Sequence, residues 1–420
     1  VGFKLSFVED SKFLLHSSMR LFYANGGADC YIVSVGGYDE KIDAAKLNDP
    51  KGGGLTALEK YLEPTIIVIP DAILLDENDC YSLQAAMLQH CGYKLKNRFA
   101  ILDVYEGAKE RTFDDDDAID KFRNGVGSNF LQWGASYYPF LNTTIVSKSE
   151  IDFTRIANLD GLSAVLSKEV AENLEADNIT AARAEGITAE IDKIPDTTEA
   201  DAVNSLNSTL TVISPSLNLI LAEVSEMLNV LPPSPAMAGA YTMVDNQASV
   251  AQSPANISLG SVIAPVVNIN NDNQEELNLP LNGKAVNAIR TFQGKGVLVW
   301  GARTLEGNSK DYRYVSVRRT MTFLEQSIKA AAEAFVFAPN NATTWSTLRA
   351  TVSSFLTNQW QSGLLAGQSA DDAFTVDIGL GATMTPNDIL DGILKMTVKV
   401  AITRPAEFIV ITFEQQQQKS

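Results

Sequence analysis

Histidine is scarce in this chain: two residues, His16 and His90, in 420. Neither stands beside a nucleophile motif, and nothing at triad spacing supports them, so a structural or exposed role is expected for both. Gly-x-Ser-x-Gly, a Walker loop and Gly-x-Gly-x-x-Gly are all missing. Gly294-Lys295-Gly296 precedes a strand pattern, whereas a phosphate loop follows a strand and opens a helix. The three cysteines, Cys30, Cys80 and Cys91, have neither metal spacing nor a disulfide framework, and a reducing cytoplasm is the simpler setting. No apolar run reaches the roughly 18 residues that a transmembrane helix needs, and there is no signal-peptide pattern. Lys and Arg are absent from 201–283, which holds seven acids, and the net charge is −18. That balance argues against nucleic acid as the main partner. These absences point away from an enzyme and from any cofactor or metal.

What is present is a 45% apolar chain long enough for two or three domains, or for one core with a large insertion. From 14 to 104, helical and strand patterns alternate. Leu14–Tyr23 is an amphipathic helix stopped at Asn25-Gly26-Gly27. Asp29–Val35, Thr65–Pro70 and Arg98–Val104 are expected strands, and Asp79–Leu95 a helix. The fold class expected is α/β, or α+β mixed, with a largely parallel sheet. Asp103 at a strand end has no ligand-binding glycines nearby and is expected to be structural. Asp114–Asp117 cannot converge on one ion and is expected to be a solvated helix start. Residues 148–231 are mostly helical, with an Ala-rich 176–205 stretch expected to be an exposed helical insertion or a mobile loop. Leu231-Pro232-Pro233-Ser234-Pro235 is a hard boundary. Beyond it, Asn270–Asn282 is expected to be a polar loop, and Met321–Phe335 and Thr344–Leu365 helices. Trp300, Trp345 and Trp360 are expected in the core.

The chain end carries the strongest pattern. Met396, Val398, Val400 and Ile402 alternate with Thr397, Lys399, Ala401 and Thr403, the period of a half-buried strand. After the breaker Arg404-Pro405-Ala406-Glu407 comes Phe408-Ile409-Val410-Ile411-Thr412-Phe413, apolar on both faces. A terminal strand of that kind needs partners on its faces and edges, from its own subunit or from a neighbour. Pro405 and Ala406 are expected to form a flexible link ahead of it. The basic group Lys295, Arg303, Lys310, Arg313, Arg318 and Arg319 reads as a solvated face by default. Its functional reading makes Arg303, Arg313, Arg318 and Arg319 an electrostatic interface for an acidic partner surface, the 201–283 stretch of a neighbour being one candidate.

Segments in family order along most of the chain resemble the tail sheath proteins of contractile phage tails, R-type pyocins and extracellular contractile injection systems. They are Ser18–Val33, Arg98–Asp103, Trp133 with Tyr137-Tyr138-Pro139-Phe140, and Pro232-Pro233-Ser234 through Ser253-Pro254-Ala255-Asn256. Gly294–Val297 with Trp300–Thr304, Tyr314–Arg319 and Thr403–Ile409 complete the set. The resemblance implies a sheath core domain formed by both chain ends, with an inserted outer domain. On that pattern 1–60 is the first part of the core or its junction, 61–235 the insertion with a variable helical region at about 148–231, and 236–420 the C-terminal core with an exchange arm at 404–420. It also implies stacked hexameric rings in a helical assembly around an inner tube, linked by strand exchange, whose contraction drives the tube through a target envelope. Phe408–Phe413 would be the donated strand and Met396–Ile402 the acceptor. The implied partners are further copies of the chain, the tube protein, and baseplate and terminator proteins, without nucleic acid or membrane insertion. The implied location is cytoplasmic assembly into a virion or a released tail-like particle. Alternatives within the resemblance are a baseplate or terminator component and a recycled, type VI-like secretion sheath. Family members usually open with an arm carrying a Pro-Gly-Val-Tyr-like motif, which Val1-Gly2-Phe3 does not match; either that arm lies outside this numbering or it is absent, and the C-terminal half of the exchange is the part carried over here.

Overall fold

The computed structural model describes residues 2–8 and 12–408. Its centre is a six-stranded mixed sheet. In chain order the strands are β1 (Ile66–Ile67), β2 (Phe99–Asp103), β3 (Gly134–Tyr138), β4 (Leu141–Thr143), β5 (Val230–Leu231), β6 (Ile257–Ser258), β7 (Val262–Pro265), β8 (Asn287–Phe292), β9 (Gly296–Trp300), β10 (Phe374–Ile378) and β11 (Met396–Val400). The large sheet runs β1-β2-β3-β8-β9-β6, with β1, β2, β3 and β8 parallel and β9 and β6 antiparallel. Alternation along β2 explains why both faces are covered. Ala100 and Leu102 join one apolar cluster, with Cys80, Met87 and Leu88 of the Glu77–Gln89 helix. Phe99 and Ile101 join the other, with Leu21 of the Leu15–Ala24 helix and Met237 and Tyr241 of the Ser234–Gln247 helix. Strands from both sides of residue 235 share this sheet, so the domain border expected there falls inside one structural layer.

The helical region is a true insertion. It leaves after β4 and returns at β5, and these two strands pair antiparallel beside β7. Asn229 holds the neck: its amide donates to Val146 O at 2.9 Å and its Oδ1 accepts from Val146 N at 2.9 Å. The helices Leu159–Glu175, Ala181–Ile191, Ala200–Ile213 and Pro215–Leu228 bury their own cluster, including Leu166, Leu206, Leu210, Leu217 and Ile220. Pro215 stands at the first helical position, where no N–H is needed, and Ser214 caps it by accepting from Leu217 N. The Ala-rich stretch is therefore helix where it packs.

Three local expectations change. Asp29–Val35, an expected strand, joins no ladder among the described residues, and with Thr65–Ile69 it lines a cavity of about 780 Å³. Asn270–Asn282 contains the helix Asn271–Asn278, capped by Asn270 and anchored by buried Leu277. Its polar composition hid it. Trp300 is exposed against Phe292, whereas Trp345 and Trp360, half-buried, pack against the apolar cluster of Leu348 and Val352 as expected.

Asp103 is structural. It is buried at the end of β2, where its carboxylate accepts from the backbone N–H of Ser234 at 2.9 Å and from the Ser234 hydroxyl, fixing the start of the Ser234–Gln247 helix. Burial pushes its carboxyl up to about 7, although the Ser234 hydrogen bonds pull the other way. The folded state therefore holds a proton that the unfolded chain loses near pH 4. This group's contribution is fully present below about pH 4 and is lost as pH rises towards 7. Asp103→Asn should flatten that part of the pH–stability curve in urea unfolding between pH 4.5 and 8; an unchanged slope would refute the assignment.

Candidate functional site

The C-terminal unit is built on two helices. Val315–Glu333 begins inside the core, with Val315, Ser316, Val317, Arg318, Arg319 and Thr320 buried. Further along it enters a second apolar cluster through Leu324 and Ile328. There it meets Ala342–Gln361, whose Leu348, Val352 and Leu356 are buried. One rigid helix thus joins the core to the unit.

On this pair lies a two-stranded antiparallel sheet, β10 against β11, with Phe374 opposite Val400, Val376 opposite Val398 and Ile378 opposite Met396. These six side chains, with Ile402, face the helices. Thr375, Asp377, Thr397 and Lys399 face water. Of the segment expected to be the acceptor, Met396–Val400 is a strand, and Ile402 makes an isolated bridge to Leu365. Among the described residues, neither the outer edge of β10 nor that of β11 has a strand partner. Apart from Ile378 O, which accepts from the Arg349 guanidinium, these edges present backbone N–H and C=O groups with no strand partner among the described residues, the kind of edge that can take another strand.

Of the six residues expected to form the donated strand, Phe408 is described, and it is 64% exposed. Ile409, Val410, Ile411, Thr412 and Phe413 lie outside the described residues. The residue before them was missed by sequence reasoning. Glu407 Oε1 accepts from Arg303 Nε at 2.8 Å and from Asn278 Nδ2 at 2.8 Å; Oε2 accepts from Arg303 Nη2 at 2.6 Å and from the Tyr314 hydroxyl at 3.0 Å. Burial would raise its carboxyl, but the bonds from Arg303 and Asn278 outweigh it and hold the group below the usual Glu range.

This corrects the default reading of Arg303, Arg313, Arg318 and Arg319 as part of a solvated face. Arg303 is 1% exposed and bound to Glu407. Arg318 is buried over the rings of Trp133 and Tyr312, at 4.2 and 4.7 Å, and 3.2 Å from Glu325. Arg319 is buried over Tyr241 and paired with Asp245, a member of the acidic 201–283 stretch of the same chain. Arg313 is half-buried and donates to Ser309 O at 2.8 Å. Guanidinium groups with aromatic faces and internal carboxylates available are more stable turned inward than spread over a surface. Similarly, Asp117 of the four-aspartate run is buried, capping the Ala118–Gly125 helix and paired with Arg111 at 2.7 Å, while Asp114–Asp116 are exposed.

His90 is buried beside Arg98, 3.1 Å away, and burial together with that charge lowers its imidazole to about 4. The 780 Å³ cavity has Asp29, Cys30, Glu40, Asp43, Lys46, Glu63 and Asp71 in its lining but no histidine. Among the described residues no helix is long and apolar enough to cross a membrane.

Comparison with known proteins follows the same division. Residues 308–416 match the phage tail sheath C-terminal domain. No curated protein matches the chain. A chain in the structure of the anti-feeding prophage baseplate in its contracted state is 25% identical, with a TM-score of 0.68 over 96% of this chain and 84% of that one. The contracted PVC sheath complex of an extracellular contractile injection system gives 27% identity and a TM-score of 0.60 over 96% and 82%. The contracted helical sheath of the anti-feeding prophage gives 26% and 0.60 over 97% and 84%.

The inward arginines make a prediction about the subunit. Arg319→Met should cost roughly 2–4 kcal/mol in urea unfolding of the unassembled protein, the lower part of the range for a broken buried pair because Asp245 keeps some water. A loss of assembly at unchanged subunit stability would restore Arg319 to an interface role.

Proposed function

We propose that this chain, a relative of the contractile tail sheath proteins, is the structural subunit of a contractile sheath that polymerises around an inner tube. The observation that carries the reading is the free-edged β10–β11 sheet, followed within eight residues of β11 by a strand pattern apolar on both faces. A donated Phe408–Phe413 strand on the edge of a neighbour's Met396–Val400 would satisfy both. Each backbone hydrogen bond so formed contributes about 0.5–1.5 kcal/mol net, with apolar burial in addition. Repetition of one donor and one acceptor per copy is a heterologous contact, which closes into rings or runs on as a helix. Six-membered rings stacked around a tube, and contraction that drives the tube through a target envelope, follow from the kinship with sheaths. So do a tube protein, baseplate and terminator proteins as partners, and cytoplasmic assembly into a tail-like particle. Contraction would be a switch between two packings of the same subunits, with the exchanged strands keeping neighbours attached. No catalytic step is involved.

A second reading, a sheath-related component confined to the baseplate end, is favoured by the similarity to chains in baseplate structures of the anti-feeding prophage. Electron microscopy of the expressed protein separates the two: long hollow cylinders for the sheath, discrete rings for the baseplate component. Deleting residues 408–420 should leave a folded, monodisperse subunit that forms neither. Normal cylinders from the truncated chain would reject strand donation by this segment.

A further inference from the structure

The geometry points to Glu407 as the positioning residue for strand donation, an inference that rests on the sheath reading and concerns where the arm starts. The carboxylate lies at the meeting point of three elements: Asn278 ends one helix, Arg303 follows β9, and Tyr314 immediately precedes Val315–Glu333. Its main partner is itself held from several sides. Arg303 Nη1 donates to Asn278 O at 3.2 Å and to Gly307 O at 3.0 Å, and Arg303 N donates to Asn287 Oδ1 at 2.7 Å. The Asn287 amide returns a bond to Arg303 O at 2.8 Å, and Asn287 opens β8. Glu407 is thus fastened to the central sheet, whereas the acceptor β11 belongs to the C-terminal unit.

This placement relocates the expected flexible link. Thr403 is fixed by bonds from its N–H to Leu364 O at 3.1 Å and from its hydroxyl to Gly363 O at 2.9 Å. Arg404, Pro405 and Ala406 alone separate that anchor from Glu407, a stretch that can span at most about 14 Å. Proline stiffens it further. Residues 404–407 therefore bridge the C-terminal unit back to the core, and Glu407 is the point at which the expected donor strand is rooted. A donor strand rooted one residue past a fixed point searches a small volume, so its effective concentration at a neighbour's edge is high. Pull on the exchanged strand would pass through Glu407 and Arg303 into β8, bypassing the small sheet.

The test uses the full chain with Glu407→Gln and, as a milder variant, Tyr314→Phe. Amide hydrogen exchange on the unassembled subunit reads the cage directly, and thermal unfolding checks the fold. The inference predicts that exchange across residues 404–408 rises in Glu407→Gln and less in Tyr314→Phe. The rest of the subunit should stay protected, and the critical concentration for cylinder formation should rise about tenfold or more in Glu407→Gln, the scale on which effective concentration falls when a linker loosens. A loosened cage with an unchanged critical concentration would overturn the positioning role while leaving donation intact, provided that the 408–420 deletion still fails to assemble. Unchanged exchange at 404–408 would overturn the cage itself. Cylinders from the 408–420 deletion would remove the reading on which both stand.

Discussion

Unpaired backbone on the small C-terminal sheet is the constraint from which the rest follows. Two strands of five residues each cover one face of a helix pair, and among the described residues no strand lies on either outer edge. A hairpin-sized sheet is marginal alone, and its edges pair readily with any extended chain offered to them. The charged or polar side chains on its outer face, Asp377 and Lys399 among them, keep that face wet, but do nothing to block the edges. Among the described residues the unit thus offers two edges to which further strands could add. The same chain supplies a suitable strand pattern just past the sheet.

The remainder of the fold makes such a weak unit mechanically useful. The Val315–Glu333 helix starts buried in the core and finishes in the C-terminal cluster, so movement of the core carries the exchange unit with it. Residues 404–407 return to the core and close a loop around the unit, latched by a bidentate arginine–carboxylate pair. Buried pairs of this kind are weak sources of net stability, because desolvation offsets most of the attraction. They do fix geometry, and geometry is what a donated strand requires. The helical insertion stands apart, necked at Asn229 and packed on its own cluster, so its surface can vary without disturbing the sheet.

Much of this was legible in the sequence where periodicity is local. The alternation at Met396–Val400 and at Phe374–Ile378, the stripe of the Pro215–Leu228 helix and the strand at Phe99–Asp103 depend on neighbours two to four residues away. The failures share a different cause. Arg303 and Glu407 are 104 residues apart, and Arg319 and Asp245 are 74 apart, so nothing local signals that each charge is consumed inside the subunit. Reading the basic cluster as a surface patch assumed that charge stays in water, and the rings of Trp133, Tyr241 and Tyr312 supplied another home. Asp29–Val35 is a short apolar run of strand-forming residues, but a ladder also requires an edge within reach, and that is a property of the whole fold. Asn271–Asn278 failed in the opposite direction, being a helix held by one cap and one buried leucine.

The central claim is that β11 takes a strand from another copy. A cryo-electron microscopy map of the assembled particle, at a resolution that traces side chains, tests it most directly. The account predicts density for residues 409–413 of one subunit running beside Met396–Val400 of the next, hydrogen-bonded along that edge. Density that folds the segment back onto its own subunit, with the β11 edge facing solvent, would contradict it.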